Sequence, residues 1–148
     1  YDEESVVPAW REMAHHLLPG GLLVEGTSDP FGKNVVVALL RRFPNHLALE
    51  ALLFCGAIED AMNPDRFPPV LPKLWIHRML PGEPIHSAFE SWRKAWQKNQ
   101  RRTSFGHRDA FLHTIRDLGI LSLETNKWLA RRGYLKMKLD ILEIQLNC

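Results

Sequence analysis

The segment from Leu17 to Gly32 constrains the fold more than any other part of this sequence. It combines a Pro19-Gly20-Gly21 turn, the apolar run from Leu22 to Val24 and an abrupt polar patch with two carboxylates. Such a turn before a short apolar run is typical of a helix that leads into a buried parallel strand. Open α/β sheets carry their chemistry at the carboxyl ends of these strands. We therefore expect an α/β fold with functional groups just after Val24.

Length and composition indicate one globular domain. The chain has 148 residues, of which 45% are hydrophobic and 24% charged, and these values exclude disordered and fibrous classes. Its net charge of +2 argues against a nucleic-acid partner, and no apolar run approaches the roughly 18 residues of a membrane span. Cys55 and Cys148 form no disulfide framework, which favours a reducing, cytoplasmic location. The start at Tyr1, close to a helix start, leads us to expect a longer parent protein.

Hydrophobic spacing predicts an αβα unit at the beginning of the chain. A helix is expected over about residues 4–18, a strand over Leu22 to Val24, and a second helix from Asp29 to Phe43. The run from His46 to Gly56 is ambiguous, although propensity alone favours a helix there.

The rest of the chain is predicted to be a helical middle followed by a terminal strand. Prolines allow one short helix near residues 73–80, and amphipathic helices follow over 84–100 and up to Gly119. Alternation from Tyr134 onward predicts a strand with a bulge near Ile141. Residues 127–130 are expected to supply its hairpin partner.

The first candidate site follows the predicted strand and contains Glu25, Thr27 and Asp29. Glu25 can act as a general base or accept a hydrogen bond from a substrate, while Thr27 supplies a hydroxyl group. The structural alternative is that Asp29 caps the helix beginning near Phe31 and that Glu25 pairs with a nearby basic residue.

The second candidate site is His77 with Arg78, which precede the turn Pro81-Gly82-Glu83-Pro84 and His86. An imidazole beside a guanidinium can bind an anionic or carbonyl group and exchange a proton near neutral pH. In the structural alternative, Arg78 forms an ion pair with Glu83 and His77 is an interior residue.

Other motifs argue against further classes of function. The histidines have no metal-ligand spacing, so we expect no metal site, and no glycine fingerprint for phosphate binding is present. A basic helix carries two tryptophans, which suggests either a nucleic-acid surface or a solvated face. The solvated face is favoured because the tryptophans fit the inward stripe of that helix. Its residues are Trp92, Arg93, Lys94, Trp96, Lys98, Arg101 and Arg102.

Several of these motifs occur in the order found in one enzyme family. The chain resembles the carboxyl-terminal half of a bacterial class I S-adenosylmethionine-dependent methyltransferase-like family over about residues 1–144. The Glu-Gly-Thr and His-Arg elements are the more specific part of this resemblance. The motifs are Ala9-Trp10-Arg11, Pro19 to Thr27, Leu71-Pro72-Lys73, Ile76-His77-Arg78, Pro81 to Pro84, and His86.

The resemblance implies the carboxyl-terminal part of a Rossmann-like methyltransferase sheet, with about three strands and a helical insertion. In that sheet Leu22 to Glu25 is the fifth strand, Leu47 to Phe54 the sixth, and Leu135 to Ile144 an antiparallel seventh. The glycine-rich loop and acidic residue that hold S-adenosylmethionine in the family have no counterpart here. The 148-residue chain alone is therefore expected to be inactive.

The leading hypothesis is the substrate-side half of a methyltransferase with an unknown methyl acceptor. Glu25 and His77 are the expected catalytic residues, and Thr27, Asp29 and Arg78 are the expected substrate-binding residues. The alternative is a non-catalytic interaction module. Its half sheet would be completed by a partner chain, by self-association into a homo-oligomer, or by the missing amino-terminal half.

Overall fold

The computed structural model describes residues 3–119, 126–137 and 146–147 of this chain. Within these ranges it contains five α-helices, five strands and short 3-10 turns. The helices are α1 (Glu3–His15), α2 (Lys73–Ile76), α3 (Pro84–Asn99), α4 (His107–Leu118) and α5 (Lys127–Ala130). The strands are β1 (Leu22–Ser28), β2 (Asn34–Arg42), β3 (His46–Gly56), β4 (Tyr134–Met137) and β5 (Leu146–Asn147). The 3-10 turns are Ile58–Asp60, Pro64–Arg66, Pro68–Val70 and Gln100–Phe105.

The strands form one sheet in the order β1-β2-β3-β4, and β5 also pairs with β3. Every pairing between described strands is antiparallel. The α/β class is therefore confirmed, but the expected number of about three strands is too low. The strand predicted at Leu22 is present as β1, yet it is an antiparallel strand at the edge of the described sheet rather than a buried parallel one.

The predicted helix from Asp29 to Phe43 is wrong, because this segment forms a turn and then strand β2. Three consecutive valines, Val35 to Val37, favour extended backbone, and alternate residues of β2 are fully buried. The first unit is therefore a helix followed by a β-hairpin, not an αβα unit.

The strand that the resemblance implies at Leu47 to Phe54 is confirmed as β3, which pairs with β2 along its length. The terminal strand is confirmed as antiparallel where it is described, because β4 runs opposite to β3. The predicted bulge near Ile141 lies outside the described residues. Residues 127–130 form helix α5 rather than a strand, since the Asn126 side chain accepts a hydrogen bond from Trp128 N at 2.9 Å and caps the helix.

The helical predictions agree better with the structure. Helix α1 ends at His15, three residues before the predicted end, and α3 ends one residue early at Asn99. Helix α4 ends before Gly119, whose φ of 64° suits a glycine. The short helix expected near residues 73–80 is the single turn of α2. No helix in the described ranges is long and apolar enough to cross a membrane.

The core lies between the helices and one face of the sheet. Alternate residues of β2 and β3 face it, and α3 together with the connection between β3 and α2 adds a cluster of aromatic rings around Phe54. The opposite face of the sheet carries Leu22, which is 39% exposed, and Val24, which is 58% exposed. The sheet therefore has one face packed against the helices and one partly exposed apolar face.

Candidate functional site: a groove beside the edge strand

A groove of about 380 Å³ lies between α1, β1 and the beginning of α2. Most of its lining is apolar, and Glu25 and Lys73 are the charged residues that line it in the described chain. The lining residues are Ser5, Val6, Ala9, Trp10, Met13, Glu25, Gly26, Thr27, Pro72 and Lys73. The groove therefore combines an apolar wall from α1 with polar groups from β1 and α2.

The register of the sheet places Glu25 and Thr27 on the side of the helices. Thr27 is opposite Val36 and Glu25 is opposite Ala38, and both of these β2 residues are fully buried. Paired residues of neighbouring strands share a face, so the Glu25 side chain points toward α1. Because Ala38 is small and β1 is at the sheet edge, the carboxylate has room to reach the groove.

The Glu25 carboxylate accepts a hydrogen bond from the indole of Trp10. The distance from Trp10 Nε1 to Glu25 Oε2 is 2.5 Å, and Trp10 is only 1% exposed. Burial raises the pKa of Glu25 above its ordinary value, although the hydrogen bond from Trp10 acts in the opposite direction. The basic partner considered for Glu25 is not found among the described residues. Glu25 is thus a half-buried carboxylate held by a neutral donor.

Asp29 belongs to the turn between β1 and β2 and does not line the groove. Its Oδ1 accepts hydrogen bonds from the backbone N–H groups of Phe31 and Lys33 at 3.1 and 2.9 Å. Its Oδ2 accepts from Asn34 N at 3.0 Å and Asn34 Nδ2 at 2.7 Å. Desolvation raises the pKa of Asp29, but these hydrogen bonds outweigh it and leave the pKa lowered. Asp29 therefore orders a turn, and no helix begins near Phe31 for it to cap.

His77 and Arg78 lie at the far end of α2 and are not among the residues that line the groove. The beginning of that helix lines it instead, through Pro72 and Lys73. His77 is exposed and Arg78 is half-buried. The structure therefore brings Glu25 and Thr27 together in the groove but does not bring His77 and Arg78 into it. The expected roles of His77 and Arg78 stay predictions.

Trp10 is the site residue that sequence reasoning missed as a partner of Glu25. Trp10 lies on the inward face of α1, and its ring centroid lies 5.8 Å from that of Trp75. A buried indole N–H usually has a hydrogen-bond acceptor. This rule, applied to Glu25 on the neighbouring strand, would have predicted the contact between the two residues from the sequence.

Three of the five basic residues on the basic face of α3 and the following turn form ion pairs within the described residues. Lys98 contacts Asp117 at 3.1 Å, Arg102 contacts Asp109 at 2.9 Å, and Arg93 pairs with Asp65 and Glu90. Trp92 is fully buried, and the Trp96 indole donates to the backbone oxygen of Asp60 at 3.0 Å. The two tryptophans therefore lie on the inward stripe of α3, as the sequence predicts. No group of three or more potential metal ligands occurs in the described ranges.

Comparisons of the chain with protein-family models, with curated proteins and with solved structures find no match. The fold establishes the α/β class, and the resemblance to methyltransferases stays a prediction. The chemistry of the groove is therefore the main basis for assigning a function.

The pKa of Glu25 predicts a pH-dependent effect of Glu25→Gln on stability. Because the pKa is raised on folding, the folded protein is favoured when Glu25 is protonated, and ionisation destabilises it as the pH rises. The glutamine oxygen still accepts the indole hydrogen bond but carries no charge. We expect the variant to melt higher than the parent above the folded pKa, by at most about 2–4 °C for this half-exposed group.

The difference should shrink as the pH falls and be small near pH 4, below the ordinary pKa of a glutamate side chain, where Glu25 is mostly protonated in both the folded and unfolded states. Thermal unfolding at pH 4 and pH 8 measures it. Glu12→Gln is the matched control, because the Glu12 side chain is 79% exposed on the same helix that contributes Trp10. Equal shifts in melting temperature at both pH values would contradict this account of Glu25.

Proposed function

We propose that this chain forms the acceptor side of an S-adenosylmethionine-dependent methyltransferase, with the methyl acceptor bound in the groove. The observation that carries the proposal is the Glu25 carboxylate facing an apolar groove and held by the Trp10 indole at 2.5 Å. Methyl transfer depends mainly on orientation and desolvation of the acceptor. An apolar wall and one fixed proton acceptor supply both requirements.

Glu25 serves as the proton acceptor for the N–H or O–H group of the bound molecule. A raised pKa brings a carboxylate closer to the working pH, which makes it a better base. Thr27 adds a hydroxyl group two residues further along the same face of β1. The β1 register thus presents a base and a hydrogen-bonding group to one ligand.

The residues that the structure describes do not fit a complete cofactor site. Residues 29–33 join β1 to β2, residues 43–45 join β2 to β3, and neither connection leads into a helix. The fold class holds its cofactor at a glycine-rich strand-to-helix connection. In this proposal the cofactor side is supplied by another unit, and the groove supplies the acceptor side.

Calorimetry with S-adenosylmethionine tests the proposal on the protein purified from its natural host. We expect saturable binding there and no measurable binding by the isolated 148-residue chain. An absence of heat at millimolar cofactor with the natural protein would overturn the proposal.

The second candidate is the interaction module, and the free edge of β1 favours it. Within the described sheet β1 pairs on one side only, and its outward residues Leu22 and Val24 are apolar and exposed. Such an edge is suited to pairing with another strand. A natural protein that binds no cofactor but sediments as an oligomer would favour this module over the enzyme.

A further inference from the structure

The charge distribution in the groove indicates what kind of molecule it accepts. Glu25 is the sole charged residue of β1, and the donor to its Oε2 is a neutral indole. In the described part of the chain, no cationic side chain forms an ion pair with its carboxylate. Partial burial of a carboxylate is unfavourable unless an opposite charge or further hydrogen bonds compensate for it. A cationic ligand would supply that compensation.

The groups around Glu25 leave this position open to a ligand. From β2 the facing residue is the uncharged Ala38, and the α1 residues that line the groove, from Ser5 to Met13, carry no charge. Lys73 lines the groove from α2, but it makes an interaction of its own and forms no ion pair with Glu25 within the described residues. The negative charge of Glu25 is therefore available to a bound molecule.

The remaining surface of the groove suits the organic part of such a molecule. Val6, Ala9, Met13 and Trp10 form an apolar wall along α1. A volume of about 380 Å³ is at the small end of the range for small-molecule sites.

We propose that the groove binds a small organic amine in its protonated form, with the ammonium group paired to Glu25 and the carbon skeleton against α1. This inference rests on the proposed function, in which the amine is the methyl acceptor. In that role one ammonium proton passes to a Glu25 oxygen, which gives a neutral amine and a protonated carboxyl group. The amine nitrogen then has a free electron pair for reaction.

Calorimetric titration of the 148-residue chain with three matched probes tests the ligand class. The probes are 2-phenylethylamine, 2-phenylethanol and 3-phenylpropanoate, which differ mainly in charge. At pH 7 we expect the amine to bind at least about tenfold more tightly than the alcohol, a difference of about 1.4 kcal/mol. The carboxylate probe should bind most weakly.

The variant Glu25→Gln should weaken amine binding about tenfold or more and change alcohol binding by less than about threefold. Glu12→Gln should leave both affinities unchanged. A second arm uses the unmodified chain, in which amine affinity should fall between pH 7 and pH 4 as Glu25 becomes protonated, while alcohol affinity stays constant. This arm keeps the test valid if the variant does not fold.

Equal affinity for the amine and the alcohol, or amine binding that is insensitive to both Glu25→Gln and pH, would overturn the inference. If the natural protein binds the cofactor but the groove shows no preference for the amine, the methyltransferase proposal is retained and the assignment of an amine ligand is rejected. If the groove prefers the amine but the natural protein binds no cofactor, the amine site is supported and the methyltransferase proposal is rejected.

Discussion

Replacing Phe54 with alanine is expected to lower the free energy of unfolding by about 3–5 kcal/mol. Phe54 is fully buried on the helix-facing side of β3. Its ring makes edge contacts with Phe67, Phe89 and Trp92, at centroid distances of 5.4, 5.6 and 5.5 Å. Its removal leaves a cavity where the sheet, α3 and the proline-rich connection meet. Urea denaturation followed by circular dichroism measures the loss.

The matched control is Phe105→Ala, because Phe105 is 79% exposed at the end of the turn that follows α3. Its effect should stay within about 0.5 kcal/mol. A loss below about 1 kcal/mol for Phe54→Ala would show that the aromatic cluster is not the centre of the core.

The helices could be predicted from the sequence because their apolar spacing reports directly on burial. Ile85, Phe89 and Trp92 lie on one side of α3, and all three are buried in the structure. This spacing is local, so it needs no knowledge of what the helix packs against.

Strand β2 could not be predicted in the same way, because its apolar residues fit two periodicities. Val35, Val36, Leu39 and Leu40 have helical spacing, while Val36, Ala38 and Leu40 alternate as in a strand. Pairing with β1 on one side and with β3 on the other stabilises the extended conformation of this segment. Asp29 also suggested a helix cap, whereas its carboxylate stabilises a turn.

Strand β3 shows how long-range pairing overrides local propensity. Leu47 to Leu52 are mostly good helix formers, yet the segment lies between β2 and the terminal strands. The resemblance implied a strand at this position, but the antiparallel pairing of β3 with both neighbours is not the pairing of a parallel Rossmann-like sheet.

The candidate site was predictable only in its β1 part. Glu25 and Thr27 follow an apolar run, and that position in the sequence indicates a polar strand end. The contact between Glu25 and Trp10 spans 15 residues and depends on how α1 lies across the sheet. Only the resemblance placed His77 in one site with Glu25. In the structure the beginning of α2 lines the groove, whereas His77 follows the end of that helix.

Replacing Trp10 separates the structural role of this residue from its role in the site. Trp10→Ala should cost about 3–5 kcal/mol of stability, because the side chain is 1% exposed and packs against Trp75. Trp10→Phe retains most of the buried ring but removes the indole N–H. We expect a smaller loss of stability for Trp10→Phe, measured by urea denaturation of both variants.

The phenylalanine variant also tests how Glu25 is held. The hydrogen bond from Trp10 lowers the pKa of Glu25 against the effect of burial, so its removal should raise that pKa further. Protonation of Glu25 would then begin at a higher pH, and amine binding would be lost at a higher pH than in the parent chain. Carbon-13 NMR of the Glu25 carboxyl group measures the pKa directly. An unchanged pKa in a folded Trp10→Phe chain would mean that the indole does not stabilise the charged form of Glu25.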